Sequence, residues 1–294
     1  MRERIPRRKK LPTSAADYGY FMERYHTTIR RTPLLVNPKS DNHSFFVSTL
    51  AGIADSSLKS RKQPSVLITG AADGKMLETV VESFQRANCS KNAAITLIDV
   101  HDQPLKINTD WHSWGDKPFR LRFIKCDARQ LNRRVLEKRY DAVVTDAFLT
   151  FFSQNDKAIV MKEWNRSLIP GGKVITTVAY KLPPTALTPE QLAELKGKYN
   201  LEKRRAWGYS SESASRELTE YTRAEIALEN YGALGPFESI GQIAQFARRA
   251  GFEYDIVRSP NDSPLGFKID PFRKEAWVRL ILTKFVDWKK ADHR

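Results

Sequence analysis

At 294 residues with a hydrophobic fraction of 41%, the chain is long enough for one large α/β domain with additions or for two small domains. Its 49 Lys and Arg against 34 Asp and Glu give a formal net charge of +15, which fits an anionic partner or a solvated basic surface. Two cysteines give no disulfide framework, no apolar stretch approaches the roughly 18 residues of a membrane helix, and no apolar signal segment follows the basic N-terminus, so we expect a cytoplasmic protein.

The N-terminal part of the chain predicts a tail followed by helices. Residues 1–13 are basic and are expected to be disordered. The spacing of Tyr18 and Tyr25 with the apolar residues between them predicts a helix over residues 14–29. A second helix is predicted through Phe45, Leu50 and Ile53.

From Ser65 onward, short apolar runs alternate with helical patterns. Such near-continuous apolar runs are typical of buried parallel strands. Five strands are predicted in this region, at 66–69, 94–100, 121–126, 142–145 and 173–180. Before the fifth strand, Ser153 and Asp156 predict the start of a helix.

Residues 181–237 interrupt this alternation. The segment is polar and helical only in places, so we interpret it as an insertion after strand five. Ser239 and Gln242 then form a capping-box pattern at the start of a further helix. The last strands are predicted at 254–257 and 277–285, as an antiparallel pair.

The turn from Val66 to Gly74, VLITGAADG, leads from a buried strand into a helix. Free backbone N–H groups at such a turn suit a nucleotide-type cofactor. A short-chain dehydrogenase would share the first six positions of this turn, and its Tyr-x-x-x-Lys pattern occurs once, at Tyr199 and Lys203. The eighth position of the turn should be Gly but is Met76, and Asp146-Ala147-Phe148 stands where that family has Asn-Ala-Gly. We therefore do not favour a short-chain dehydrogenase.

Five short motifs occur in an order that resembles the class I S-adenosylmethionine (SAM)-dependent methyltransferases. They are the Gly-rich turn at 70–74, Asp99 after strand two, Cys126-Asp127-Ala128 after strand three, Asp146 after strand four, and Leu168-Ile169-Pro170-Gly171-Gly172 before strand five. The resemblance implies an α/β fold with a doubly wound, mainly parallel seven-stranded sheet of order 3-2-1-4-5-7-6. It also implies a methyltransferase domain over residues 61–294 that contains the insertion, with N-terminal helices over residues 14–60 acting as a lid.

The resemblance further implies which residues hold SAM and its product, S-adenosylhomocysteine (SAH). A carboxylate at Asp99 suits the two ribose hydroxyls, and Asp127 offers an acceptor for the adenine amino group. Two positions depart from the family pattern, because Ile68 replaces an acidic residue and Ala72 replaces a glycine. The complete predicted cofactor set is Gly70, Ala71, Ala72, Gly74, Asp99, Val100, Asp127, Ala128, Asp146 and Ala147.

The acceptor side is predicted by position rather than by a motif. Strand four is followed neither by the Pro-Pro element of DNA amino methyltransferases nor by the Pro-Cys of cytosine C5 methyltransferases. His101 and His112 are candidate bases, and no metal is expected. The predicted acceptor pocket or lid comprises Tyr18, Tyr25, Trp111, Phe148 and Tyr180.

Together these patterns predict SAM-dependent methyl transfer to a small molecule by in-line displacement. An RNA or protein methyltransferase is the main alternative, since the net charge is +15, although no recognised RNA-binding appendage is present. A methyltransferase fold that only binds its partner is a further alternative, because of Ile68 and Ala72. Nucleic acid is not favoured as a partner, no membrane is expected, and a homodimer is left open.

Overall fold

The computed structural model describes most of the chain beyond the first 40 residues. The described ranges are 41–60, 62–70, 74–89, 93–110, 119–131, 133–136, 139–195, 235–260, 262–266, 268–270 and 275–286. The predicted tail, the predicted helix over residues 14–29, and most of the predicted insertion lie outside these ranges.

Strands and helices alternate through the described part of the chain. The strands are β1 (Ser65–Thr69), β2 (Ala94–Asp99), β3 (Arg120–Lys125), β4 (Tyr140–Val144), β5 (Leu168–Lys181), β6 (Phe252–Val257), β7 (Lys268–Asp270) and β8 (Glu275–Lys284). The α-helices are α1 (Asp41–Lys59), α2 (Lys75–Arg86), α3 (Asp102–Asp110), α4 (Arg133–Leu136), α5 (Gln154–Ser167) and α6 (Ile240–Arg249). A 3-10 helix spans Phe148–Phe151, and residues 189–195 of the predicted insertion are helical.

All strands belong to one sheet with the order β3-β2-β1-β4-β5-β8-β6, and β7 pairs with β8. Strands β1 to β5 pair in parallel, whereas β8 runs antiparallel to both β5 and β6. The predicted order 3-2-1-4-5-7-6 is therefore confirmed, with β8 as the predicted seventh strand. The sequence patterns missed β7 because it has only three residues.

The two faces of the sheet carry separate hydrophobic layers. Val66 and Ile68 of β1 pack with the apolar side chains of α1 and α2, whereas Leu67 packs with those of α5 and α6. This alternation follows from the two-residue period of a strand, and helices cover both faces as a doubly wound fold requires. Ile68 is fully buried, so the residue that departs from the family pattern serves the core.

Helix α1 confirms the predicted helix through Phe45, Leu50 and Ile53. Its apolar side chains are buried against α2, and Ser57 donates from Oγ to Asp141 Oδ1 at 3.0 Å. Helix α1, the second part of the predicted lid over residues 14–60, is therefore packed into the hydrophobic core. The first part of this predicted lid lies outside the described residues.

The predicted helix starts are confirmed by their capping contacts. Asp156 N donates to Ser153 Oγ at 3.2 Å, and Gln242 N donates to Ser239 Oγ at 3.2 Å. A side-chain oxygen at this position satisfies an amide that lacks a partner within the helix. The first of these caps sets the start of α5 directly after the 3-10 helix. Among the described residues, no helix has the length and apolar character needed to cross a membrane.

Candidate functional site

Hydrogen bonds between neighbouring strands align their carboxyl ends at one edge of the sheet. Gly70 N donates to Ile98 O at 3.1 Å, and Cys126 N donates to Asp99 O at 2.9 Å. Thr145 Oγ1 donates to Thr69 O at 2.6 Å, which ties β4 to β1. Ligands of open α/β sheets bind in the crevice outside these strand ends.

Asp99 ends β2 as a buried carboxyl group. The residue is 8% exposed, and His101 N donates to its Oδ1 at 2.8 Å. Burial raises the pKa of Asp99 to about 6, although hydrogen bonds from the amides of His101 and Val100 act in the opposite direction. A desolvated carboxyl group of this kind gains more from a hydrogen-bonding ligand than an exposed one would.

Two predicted residues follow Asp99 directly. Val100 is 49% exposed, an unusual degree of exposure for an apolar side chain directly after a buried strand. His101 is partly buried, and its pKa is lowered, first by burial and then by the charge of Lys125, while Asp102 acts against the shift. An exposed apolar side chain and a histidine whose lowered pKa favours the neutral imidazole therefore follow Asp99 directly in the chain.

Gly70 and Phe148 make a close contact between the ends of β1 and β4. Gly70 has φ of +70°, a conformation that favours glycine. A Cβ atom at this position would lie 2.2 Å from Cδ2 of Phe148, so the aromatic ring rests directly on the glycine backbone. Gly74 also has a positive φ, at +82°, where it begins α2. The positive φ therefore favours glycine at both ends of the predicted turn.

Asp127 ends β3 in a different setting. Its Oδ2 accepts from Arg129 Nη2 at 2.7 Å, and its Oδ1 accepts from the Arg129 amide at 2.8 Å. Burial raises the pKa of Asp127, but the hydrogen bonds and charge of Arg129 outweigh burial, and the net shift is downward. Arg129 Nη1 also lies 3.7 Å from Asp156 Oδ2. The predicted adenine acceptor is therefore already engaged by a guanidinium group, and Ala128 beside it is buried.

Thr177 of β5 holds the turn after β4. Its hydroxyl donates to Asp146 Oδ1 and accepts from Ala147 N at 3.1 Å. Ala147 has φ of +56°, an uncommon value for a residue with a Cβ atom. The hydroxyl thus stabilises a strained turn that leads into the 3-10 helix and places Phe148 over Gly70.

The structure brings together only part of the predicted site. Ala71, Ala72, Trp111, His112, Tyr18 and Tyr25 lie outside the described residues. Tyr180 is 4% exposed, and its hydroxyl donates to the carbonyl oxygen of Leu265, so burial gives no support to its place in an acceptor pocket. Sequence reasoning missed Arg129 and Thr177. Arg129 gave a weak signal as a cation two residues after Asp127, whereas Thr177 lies within an apolar strand and gave none.

Comparison with known proteins identifies the segment that carries these strand ends. Residues 70–176 match a family model described as "Methyltransferase domain". This segment is a methyltransferase domain. The match begins at Gly70, includes the predicted cofactor residues Asp99, Asp127 and Asp146, and ends within β5. No curated protein matches the sequence.

Solved methyltransferase structures resemble the chain at low identity. An O-methyltransferase family protein from Burkholderia thailandensis is 14% identical with a TM-score of 0.47, and the match covers 92% of this chain and 59% of that chain. The N-methyltransferase NodS from Bradyrhizobium japonicum is 12% identical with a TM-score of 0.45, over 85% and 99% of the two chains. Magnesium protoporphyrin IX methyltransferase from Synechocystis, with bound SAH, is 11% identical with a TM-score of 0.43, over 81% and 83%. The chain thus spans less than two thirds of the Burkholderia protein.

The described residues of the methyltransferase domain fit a SAM molecule. Asp99 supplies a buried acceptor for a diol, and Val100 supplies an exposed apolar surface beside it. Gly70, with φ of +70°, makes the turn that leaves β1. In the described part of the chain, no group of three or more His, Cys, Asp and Glu side chains is arranged to hold a metal ion.

Proposed function

We propose that this protein transfers a methyl group from SAM to a small-molecule acceptor. The observation that carries the proposal is the buried Asp99 carboxyl group at the end of β2, beside the exposed Val100 and in line with the Gly70 turn. A carboxylate there accepts both hydroxyl protons of a ribose diol, and the charged form gains most from such hydrogen bonds. We propose Asp127 with Ala128 at the adenine end, and Asp146 with Ala147 as further residues of the cofactor site.

The chain's own residues bind and orient the reactants. When bound, SAM supplies an activated methyl group for direct displacement by the acceptor. Asp99 holds the nucleoside, while Gly70 and Gly74 supply the positive φ values with which the turn leaves β1 and enters α2. Alignment of the reacting atoms and exclusion of water are the main contributions a protein makes to such a displacement.

The aromatic side chains after β4 favour an apolar acceptor. The rings of Phe148 and Phe152 meet edge to face with centroids 4.9 Å apart, and Phe148 covers Gly70. Both side chains are only partly buried, so they retain surface for contact with a ligand. We propose that they form one wall of the acceptor pocket. His101 is proposed as the base where the acceptor must lose a proton, because its lowered pKa keeps the imidazole neutral.

An RNA or protein acceptor is the second candidate, and the net charge of +15 favours it. A macromolecular polyanion would bind with a steep dependence on salt, because counterions are released from its phosphates. A small acceptor in an apolar pocket would show little such dependence. The salt dependence of methyl transfer therefore separates the two acceptor classes.

Titration calorimetry with SAM, SAH and NAD tests the proposed cofactor. We expect SAM and SAH to bind and NAD to bind more weakly or not at all. Methyl transfer from labelled SAM is then measured with small molecules that co-purify with the protein, identified by mass spectrometry after denaturation, and with total RNA in parallel. Tighter binding of NAD than of SAM would overturn the proposal in favour of a dehydrogenase.

A further inference from the structure

Lys157 of α5 is a lysine enclosed by backbone carbonyl groups and an aromatic ring. Its side chain has no solvent exposure, although lysine is rarely buried in proteins. Its Nζ donates to the carbonyl oxygen of Gly235 and, at 3.4 Å, to that of Pro236. It also lies 4.8 Å from the centroid of the Phe237 ring, within the range of a cation–π contact.

Residues 235–237, here called the root, form the first described segment after residue 195. Gly235 N donates to Thr150 O at 2.9 Å, and Phe237 N donates to Ala179 O at 2.8 Å. Gln154 Nε2 donates to Pro236 O at 2.9 Å. Backbone and side-chain bonds thus tie the root to the 3-10 helix, to α5 and to β5.

The connection to the 3-10 helix links the root to Gly70, the first residue of the predicted cofactor turn. Thr150, which accepts from Gly235 N, lies two residues after Phe148 in the same helix. Phe148 in turn rests on Gly70 at the end of β1. A contiguous set of contacts therefore runs from Lys157 through the root and the 3-10 helix to Gly70.

We propose that Lys157 is a positioning residue of the methyltransferase, which fixes the root against the 3-10 helix and thereby holds Phe148 over Gly70. The inference rests on the proposed function, since it assigns SAM to the turn at Gly70. Each of the other anchors is a single hydrogen bond, whereas Lys157 donates from one Nζ atom to two carbonyl groups at once.

The charge of Lys157 makes this attachment sensitive to pH. Burial lowers the pKa of Lys157 to about 8; Glu238 and Glu275 favour its charged form, and Lys181 opposes it. Since this pKa is below the ordinary value of 10.5, the closed environment holds the neutral amine better than water does. Raising the pH through 8 therefore strengthens the attachment, and a neutral amine still has two N–H groups for the two carbonyls.

Amide hydrogen exchange at Gly235 and Phe237, measured without ligand, tests the attachment itself. We expect Lys157→Met to lower the protection of both amides at least about tenfold, because the carbonyl groups of Gly235 and Pro236 lose the donor that they share. In the wild type, protection should rise between pH 7 and 9 after correction for intrinsic exchange, and in Lys157→Met it should not. The control is Lys162→Met, an exposed lysine on the same helix, which should leave both amides unchanged.

SAH affinity tests the link from the root to the cofactor turn. We expect a roughly three- to tenfold loss in Lys157→Met with the melting temperature unchanged or raised, since an apolar side chain avoids the burial of a charge. Gln154→Leu, which removes the bond to Pro236, should act in the same direction but less, and it serves as the test if Lys157→Met does not fold. Unchanged exchange and unchanged affinity in the variants would overturn the inference. If the wild type binds no SAH, the proposed function fails instead, and the exchange result still decides whether Lys157 holds the root.

Discussion

Asp99 and Asp127 end neighbouring parallel strands, yet the protein places them in opposite electrostatic settings. Burial raises the pKa of Asp99 to about 6. Asp127 is more exposed, and its pKa is lowered because Arg129 outweighs the effect of burial. An acidic residue at the end of a strand is therefore not by itself a binding group. Asp99 is held ready for a hydrogen-bonding ligand, whereas Asp127 already has a partner that a ligand must displace or share.

The largest expected effect is the dependence of stability on pH that Asp99 produces. Its folded pKa, about 6, is above the ordinary value of 3.8, so the folded state binds a proton more tightly than the unfolded state does. Stability is therefore lost as the pH rises from about 4 to about 6, by about 3 kcal/mol in total for a shift of this size. Urea unfolding of the wild type and of Asp99→Asn across pH 4 to 7 isolates this contribution as the difference between them. Parallel pH profiles would show that Asp99 titrates normally.

The second effect is on cofactor affinity. We expect Asp99→Ala to weaken SAH binding at pH 7.5 at least about 30-fold, which corresponds to about 2 kcal/mol for a pair of charge-assisted hydrogen bonds. The matched control is Asp102→Ala, because Asp102 is an exposed acid three residues further along the chain. Calorimetry of both variants gives the comparison, and equal affinities would remove Asp99 from the ribose site.

A smaller effect is expected at Asp127. With Arg129 in place, we expect Asp127→Ala to weaken SAH binding only about threefold, because the guanidinium group already occupies the carboxylate. Arg129→Ala should leave the carboxylate open, so the loss on removing Asp127 should be larger in that background. The double-mutant cycle, measured by calorimetry, yields this coupling directly. A large loss from Asp127→Ala in the presence of Arg129 would show that the ion pair does not compete with adenine.

The smallest effect is expected from the basic tail. No aromatic residue lies among the charges from Arg2 to Lys10 that could stack on bases. Deletion of residues 1–10 should therefore leave SAH affinity and methyl transfer unchanged. A large loss of turnover, reproduced in the intact protein by added salt, would instead favour an RNA acceptor.

The strands and both capping contacts were predictable because local patterns mark them, whereas the strand order followed from the resemblance to the methyltransferases. Apolar runs marked each parallel strand, and Ser153 and Ser239 marked the two helix starts. Asp99 was predicted as a cofactor residue from its place after the second strand, and this role stays a prediction. Its burial was not predictable, because burial depends on neighbouring strands distant in sequence.

Contacts between distant segments were equally hidden from the sequence. Lys157 lies on an ordinary helical pattern, and its partners are almost 80 residues further along the chain. Thr177 has the sequence pattern of an ordinary buried strand residue, and only the fold shows that its hydroxyl contacts the turn after β4. The sequence patterns thus predicted the elements and the strand-end acids, whereas the groups that position them required three-dimensional contacts.

We propose that Asp99 becomes a charged hydrogen-bond acceptor when SAM or SAH binds. A free carboxyl group with a pKa of about 6 is half protonated at pH 6, and hydrogen bonds from a ribose diol favour its ionised form. Calorimetry of SAH at pH 6, in buffers of different ionisation enthalpy, counts the protons exchanged on binding. We expect the wild type to release about half a proton from Asp99 when SAH binds, and Asp99→Asn to release none at this site. Equal proton release by the two proteins, or proton uptake by the wild type, would contradict it.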